Sequence, residues 1–175
     1  VYNINEGERT AIGRISFVGN HAFSESRLRA TINSRRRSVF TLLNRKDVFS
    51  EVRIAADQEE LRRFYMTHGY ADFRVLSVDW EFDEASARYS VVFTIEEGPR
   101  YRFANITVDS TIPGVEGSSL RRYVETKEGR VFNSLLIERS VENLTLEMSR
   151  MGYPFVQVTP RGDRNYENNT VSITY

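Results

Sequence analysis

The sequence contains two copies of one pattern, and this internal repeat constrains the fold more than any other feature. The stretch "MTHGYADFRV" at 66–75 returns as "SRMGYPFVQV" at 149–158. The matched positions lie 83 residues apart and include Phe49 with Phe132, Ile54 with Ile137, Leu61 with Leu144 and Gly69 with Gly152. A repeat of this length predicts two tandem modules rather than one larger domain.

Within each copy the pattern predicts the order strand, helix, helix, strand, strand. The alternating "RISFVG" and its counterpart "NITVDS" predict the first strands. Ser24 is a candidate N-cap flanked by an apolar pair, and Ser50 and Asn133 occupy the same place before the second helices. We expect the second helix of the second copy to bury one stripe, formed by Ile137, Val141, Leu144, Met148 and Met151.

The repeated Gly-Tyr pair is interpreted as the end of a helix followed by the start of a strand. Gly69 and Gly152 suit the left-handed position that follows many helices, where a side chain is disfavoured. Tyr70 and Tyr153 are then expected to open the next strands, with Pro154 at a strand start.

These elements predict an α+β fold in which each copy is a three-stranded mixed sheet covered on one face by two antiparallel helices. The third strand is expected between the other two and parallel to the first. The second strand of the first copy, predicted at 70–82, is therefore expected at a sheet edge.

The apolar residues of that edge strand change parity along the chain. Phe73 and Val75 are odd-numbered, whereas Val78, Trp80 and Phe82 are even-numbered. A strand cannot change faces without an extra residue, so the pattern predicts a β-bulge near Leu76-Ser77. The bulge has two readings: protection of the edge against pairing, or a strand shaped to receive a segment of another protein.

Composition excludes sites that need cysteine. The chain of 175 residues has no cysteine, so no disulfide or thiolate site is available. Its 24 Lys and Arg balance 24 Asp and Glu, so the summed charge does not favour nucleic acid or an anionic membrane. The absence of cysteine suits a reducing cytosol or a bacterial periplasm. Both ends fall inside strand patterns, from which a fragment of a longer protein is expected.

One segment departs from the balanced charge. Between Glu25 and Asp47 there are seven basic residues and no acidic one. We name a possible interaction loop within it, comprising Arg35, Arg36, Arg37, Phe40, Arg45 and Lys46. A solvated connection, a protein or lipid contact, and a phosphate contact with nucleic acid all remain open from the sequence.

No constellation of side chains predicts catalysis. His21 and His68 are the two histidines, and neither has a carboxylate or a second ligand at useful spacing. Asp83-Glu84 falls in an expected hairpin turn, where polar residues are common. We therefore predict no catalytic residue, no metal site and no cofactor.

The repeated strand–helix–helix–strand–strand order resembles polypeptide-transport-associated (POTRA) domains. The residues that carry the resemblance are "GRISFVGNHAFSESRLR", "HGYADF" and the junction "FTIEEGPRYRFANITV". It covers nearly the whole chain: 1–7 as the end of a preceding domain, 8–97 as a third-like domain and 98–175 as a fourth-like domain. The second copy departs from the pattern at "TVDSTIPGVEGSSL", which lacks the Gly-Asn of the first.

The resemblance implies a periplasmic scaffold of the outer-membrane β-barrel assembly machinery of Gram-negative bacteria, followed by a membrane β-barrel in the same chain. Its implied partners are unfolded outer-membrane polypeptides and accessory lipoproteins such as BamB, with no obligate homo-oligomer and no nucleic acid. The implied docking edge comprises Ala71, Asp72, Phe73, Arg74, Val75, Leu76, Ser77 and Val78. Two alternatives remain: a related two-partner secretion or autotransporter-assembly transporter, and a module that binds phosphate, anionic lipid or nucleic acid through Arg35-Arg37.

Overall fold

The computed structural model describes residues 10–34 and 48–175. Residues 10–34, 48–64 and 73–97 belong to one compact unit, and residues 65–72 with 98–175 belong to a second. The elements of the first copy are β1 (Ala11–Val18), α1 (Glu25–Thr31), α2 (Glu51–Thr67), β2 (Arg74–Asp83) and β3 (Arg88–Glu96).

The second copy repeats this order with shorter strands and a shorter first helix. It comprises β4 (Arg102–Thr107), α3 (Gly117–Leu120) continued by a 3₁₀ turn (Arg121–Tyr123), α4 (Ser134–Arg150), β5 (Arg161–Asn165) and β6 (Thr170–Thr174). The α+β fold expected from the repeat is confirmed.

Each sheet has the predicted strand order. The first runs β1-β3-β2 and the second runs β4-β6-β5. In both sheets the central strand is parallel to the first strand and antiparallel to the second. Because β2 and β5 each have one strand neighbour, each lies at an edge of its sheet.

The cores lie between the sheets and their helices. In the first unit, β3 buries Val91, Phe93 and Ile95, and the helices contribute Leu28 and Leu61. In the second unit, Phe103, Val171 and Ile173 from the sheet pack in one cluster with Leu144 and Met148 of α4. Alternation of period two in the strands produces these one-sided buried surfaces.

Side-chain caps begin the helices where the sequence predicts them. The Ser24 hydroxyl accepts a hydrogen bond from the backbone N–H of Arg27 (3.3 Å) at the start of α1. The Asn133 side chain accepts one from Leu135 N–H (3.0 Å) at the start of α4. Each cap satisfies a backbone donor that the helix cannot pair internally.

The Gly-Tyr pairs end α2 and α4 in the same way. Gly69 has φ +107° and Gly152 has φ +96°. The next N–H, of Tyr70 or Tyr153, donates back to the carbonyl five residues earlier, of Tyr65 (3.0 Å) or Met148 (2.9 Å). This 6→1 bond of the Schellman motif explains why the pair recurs. The tyrosines close helices; the expectation that they open strands is wrong.

The same error places the strand starts too early, and one residue of the predicted α4 stripe is exposed. The second strands begin at Arg74 and Arg161, later than predicted at Tyr70 and Pro154, because the Schellman turn and an extended connection precede them. Met151 is 46 % exposed rather than buried on the α4 stripe, because it is the C-cap residue.

The helices were compared with the length and hydropathy that a membrane span requires. No helix in residues 10–34 or 48–175 is both long and apolar enough to span a bilayer.

Candidate binding edge on the first sheet

The edge strand β2 pairs with β3 along its whole length except at one residue. The antiparallel register runs from Arg74 opposite Glu96 to Asp83 opposite Arg88, with a shift between Val75 and Ser77. The predicted bulge is therefore confirmed, and Leu76 is its unpaired residue, 57 % exposed. Beyond the bulge the register is continuous over 77–83.

The opposite edge of this sheet, β1, is occupied near its beginning and at its middle. Ala11 forms an antiparallel bridge with Val48, and the Thr10 carbonyl accepts the Phe49 N–H at 2.9 Å. Farther along, the Arg29 guanidinium donates to the Ile15 carbonyl at 3.4 Å. These contacts use backbone groups that an added strand would need.

The equivalent edge of the second sheet, β4, is occupied more fully. Phe103 donates its N–H to the Arg130 carbonyl and accepts the Gly129 N–H, both at 2.8 Å. At Ile106, the N–H donates to the Glu128 carboxylate (3.2 Å) and the carbonyl accepts from Arg121 (3.3 Å). Backbone groups of 129–130 and the side chains of Glu128 and Arg121 thus occupy positions that a neighbouring strand would use.

One face of β2 carries an aromatic cluster. Trp80 and Phe82 share the helix-covered face, because Trp80 lies opposite the buried Val91 in the ladder. The Phe49 ring lies 5.6 Å from Trp80 and 4.2 Å from Tyr89, and Phe82 lies 5.4 Å from Tyr89. These ring contacts hold Trp80 and Phe82 in place, yet each remains 43 % exposed.

The other face of β2 carries carboxylates. Asp79, Glu81 and Asp83 alternate with the apolar residues and are exposed. Hydrogen bonds from the Ser86 hydroxyl (2.7 Å) and the Ala85 N–H (3.1 Å) hold the pKa of Asp83 below its usual value, keeping it charged. Asp83-Glu84 opens the hairpin turn, as predicted.

The predicted docking residues fall into two groups, those on β2 and those that precede it. Arg74 to Val78 lie on β2, and Arg74 pairs with Glu96 at 2.6 Å. Ala71, Asp72 and Phe73 precede the strand, so their assignment to it is wrong; Ala71 and Phe73 are buried.

Asp72 belongs instead to a polar cluster of the second unit. Its carboxylate accepts a hydrogen bond from the Tyr101 hydroxyl (2.5 Å) and lies 3.5 Å from Arg164. Burial, followed by this hydrogen bond, raises the pKa of Tyr101 to about 12. Asp72 therefore makes its polar contacts within the second unit and is not part of β2.

The possible interaction loop (Arg35, Arg36, Arg37, Phe40, Arg45, Lys46) lies outside the described residues, as do residues 1–7. Among residues 10–34 and 48–175, no group of histidines and carboxylates could hold a metal ion.

The sequence interpretation missed the part of the edge with the most exposed functional groups. Segment 79–83 reads Asp-Trp-Glu-Phe-Asp, a strict alternation of acidic and aromatic residues. That alternation is typical of a strand with two chemically different faces, whereas the parity of its apolar residues alone predicts only the bulge.

A family model describes both copies. The POTRA family, surface antigen variable number repeat, matches residues 10–98 and 101–175.

The chain is also similar in sequence to curated proteins. The chain is 30 % identical over 172 residues to the outer membrane protein assembly factor BamA of Neorickettsia risticii, covering 98 % of this chain and 23 % of that protein. It is 26 % identical over 168 residues to BamA of Neisseria meningitidis serogroup B, covering 96 % and 21 %. The chain thus spans less than a quarter of the length of these relatives.

Among solved structures, Haemophilus influenzae BamA POTRA3-5 matches with a TM-score of 0.77 and 19 % identity, over 94 % of this chain and 64 % of that one. BamA of Haemophilus ducreyi lacking POTRA domains 1–3 matches with a TM-score of 0.69 and 16 % identity, over 94 % of this chain and 28 % of that one. Likenesses at this identity establish the fold.

Proposed function

Because the chain belongs to the POTRA family, we propose that it is a periplasmic scaffold of outer-membrane protein assembly that binds extended polypeptide segments at β2. Binding adds a strand to the first sheet, with backbone hydrogen bonds supplying the affinity. The proposal includes a place as third and fourth domains, with boundaries at 8–97 and 98–175, before a β-barrel in the same chain.

The observation that carries this proposal is the contrast between the two edges of the first sheet. The β1 edge already uses backbone groups in contacts with Val48, Phe49 and Arg29. On β2, no strand among the described residues pairs with the side away from β3. A row of backbone donors and acceptors on that side suits strand addition.

Two kinds of partner fit the proposal. Unfolded outer-membrane polypeptides present extended backbone, and an accessory lipoprotein such as BamB would present a loop or strand edge. Both would use the same backbone groups and would therefore compete for β2. Such work needs binding alone, with no catalytic step.

Proline substitution at neighbouring positions of β2 tests strand addition. Adjacent residues direct their N–H groups to opposite sides of a strand, so one of Val78 and Asp79 donates outward and the other donates to β3. Proline at the outward position should preserve the melting temperature and weaken binding by at least about tenfold, by loss of a donor and by steric block. Fluorescence anisotropy with a labelled segment of an unfolded outer-membrane protein measures the affinity.

The matched controls are Val78→Ala and Asp79→Ala, which change the side chain and keep the N–H. Amide hydrogen exchange gives a second readout, because outward amides of β2 should become protected when the segment is added. Undiminished affinity in the folded proline variant, or unchanged exchange along β2, would contradict the proposal.

The rival function is binding of phosphate groups, in anionic lipid or nucleic acid, by Arg35-Arg37. It stays a sequence-based prediction, since these residues lie outside the described ranges. Binding to RNA or anionic liposomes that weakens steeply with salt, and that the β2 proline leaves intact, would favour it.

A further inference from the structure

We propose that the segment β2 receives alternates apolar residues with lysine or arginine, and that it pairs with Ser77–Asp83. This inference rests on strand addition at β2 and specifies the partner's chemistry. It follows from the two faces of the edge strand and from the position of its bulge.

The bulge sets the length of the docking segment. Leu76 interrupts the ladder, and the register is unbroken from Ser77, opposite Thr94, to Asp83, opposite Arg88. A regular strand added outside β2 can pair continuously with this stretch, whereas pairing across the bulge needs a matching irregularity. The incoming segment is therefore about as long as 77–83.

Sheet geometry assigns each incoming side chain to a face. Residues directly opposite each other on neighbouring strands point to the same side of a sheet, whether the strands are parallel or antiparallel. Incoming residues opposite Val78, Trp80 and Phe82 thus face the helix-covered side. Those between them, opposite Ser77, Asp79, Glu81 and Asp83, face the open side.

The helix-covered side favours apolar residues. Trp80 and Phe82 keep 43 % of their surface exposed, and contacts with Phe49 and Tyr89 hold their rings. Apolar side chains laid against these rings would remove that surface from water at little further cost in side-chain entropy.

The open side favours cations. In the ladder Asp79 lies opposite Val92 and Glu81 opposite Ser90, so β3 places no cation directly opposite either, whereas Asp83 lies opposite Arg88. Asp79 accepts a hydrogen bond from the neutral Ser77 hydroxyl (2.8 Å). Within residues 10–34 and 48–175, no ion pair includes Asp79 or Glu81. Lysine or arginine in an added strand would provide the missing cross-strand partners.

Four labelled peptides of equal length test this chemistry on the 175-residue chain. In three of them valine alternates with lysine, with serine or with glutamate; the fourth has the composition of the lysine peptide in two blocks. At low salt the alternating lysine peptide should bind at least about tenfold more tightly than the glutamate peptide. The preference should shrink as salt rises, because the carboxylates are exposed.

Charge reversal on the protein provides the matched test. Asp79→Lys with Glu81→Lys should invert the preference toward the glutamate peptide, whereas Asp79→Asn with Glu81→Gln should remove the preference and retain binding. Both pairs occupy exposed positions, and thermal unfolding monitored by circular dichroism checks that each variant is folded.

The outcomes separate this inference from the function on which it rests. Equal affinities for the three alternating peptides would overturn the chemical preference and leave strand addition standing. A block peptide that binds as tightly as its alternating counterpart would overturn the two-faced alignment. Failure of every alternating peptide to bind would overturn both proposals.

Discussion

The edge strands β2 and β5 occupy the same place in two sheets of the same topology, yet their surfaces differ. β2 spans ten residues, is interrupted by a bulge, and carries aromatic side chains on one face. β5 spans five residues, pairs regularly, and is exposed throughout. Its sequence, Arg-Gly-Asp-Arg-Asn, has no apolar side chain.

Under the proposed function, this difference means that an open edge alone does not make a docking surface. Both strands expose backbone groups, but β5 carries the short, charged character by which proteins discourage edge pairing. β2 adds side chains that an incoming strand can cover. The fold provides two edges, and the residues of each strand decide which of them is suited to a partner.

The largest effect is expected from making β2 resemble β5. Replacing Trp80 and Phe82 together by alanine removes the apolar surface and leaves the backbone edge in place. We expect affinity for an extended client segment to fall by about 10- to 100-fold, since aromatic anchors commonly dominate binding. Anisotropy titration measures this loss.

Conservative substitutions of the same rings provide the control. Trp80→Phe with Phe82→Tyr retains flat aromatic surface and should keep most of the affinity. Affinity that survives the double alanine change would mean that backbone pairing alone accounts for binding, and that β5 should bind equally well.

A smaller effect is expected from removing the bulge, the second difference between the strands. Deleting Leu76 would make Val75 and Ser77 neighbours and extend the regular ladder toward Arg74. Each added cross-strand pair contributes about 0.2–1 kcal/mol, so affinity for a longer segment should rise a few-fold. Analytical ultracentrifugation should also detect more self-association, because a longer regular edge pairs more readily. Unchanged affinity and a monomeric variant would show that the bulge does not limit pairing.

The smallest effect concerns the surroundings of β5, where Arg164 contacts Asp72 and Asp72 accepts from Tyr101. The pKa of Tyr101 is raised to about 12 from a usual value of 10. The folded state therefore favours the protonated phenol, whose stabilisation is complete below pH 10 and is lost as pH rises toward 12.

The second unit should thus lose a few degrees of melting temperature over that range, with β2 unaffected. Methyl resonances of Val171 and Ile173 report on the second unit, and Tyr101→Phe should flatten the alkaline decline. A decline of the same size in the phenylalanine variant would assign it to other groups.

Much of the fold was predictable because its signals are local. Period-two alternation predicts the strands, the Ser24 and Asn133 caps mark helix starts, and Gly69 ends α2 where a left-handed residue is needed. The parity change across Leu76 likewise located the bulge. Strand starts were misplaced, because no local signal separates the residues after a Schellman turn from the strand that follows.

The candidate site was predictable in part. Its strand and its place at an edge followed from the repeated order of elements, but the first three of the residues assigned to the strand, Ala71 to Phe73, precede it. Burial of Ala71 and Phe73, and the contacts of Asp72 with Tyr101 and Arg164, depend on residues distant in sequence.

The sequence by itself determined the repeat, the order of elements, the helix ends and the two-faced alternation of β2, since each depends on neighbouring residues and backbone sterics. Tertiary structure alone decided which edges remain available. Arg29 reaches Ile15, and Glu128 and Arg121 reach Ile106, only after the chain has folded back on itself. These long-range hydrogen bonds occupy backbone groups of β1 and β4, whereas the side of β2 away from β3 has no strand partner among the described residues and is the side that the proposed strand addition would use.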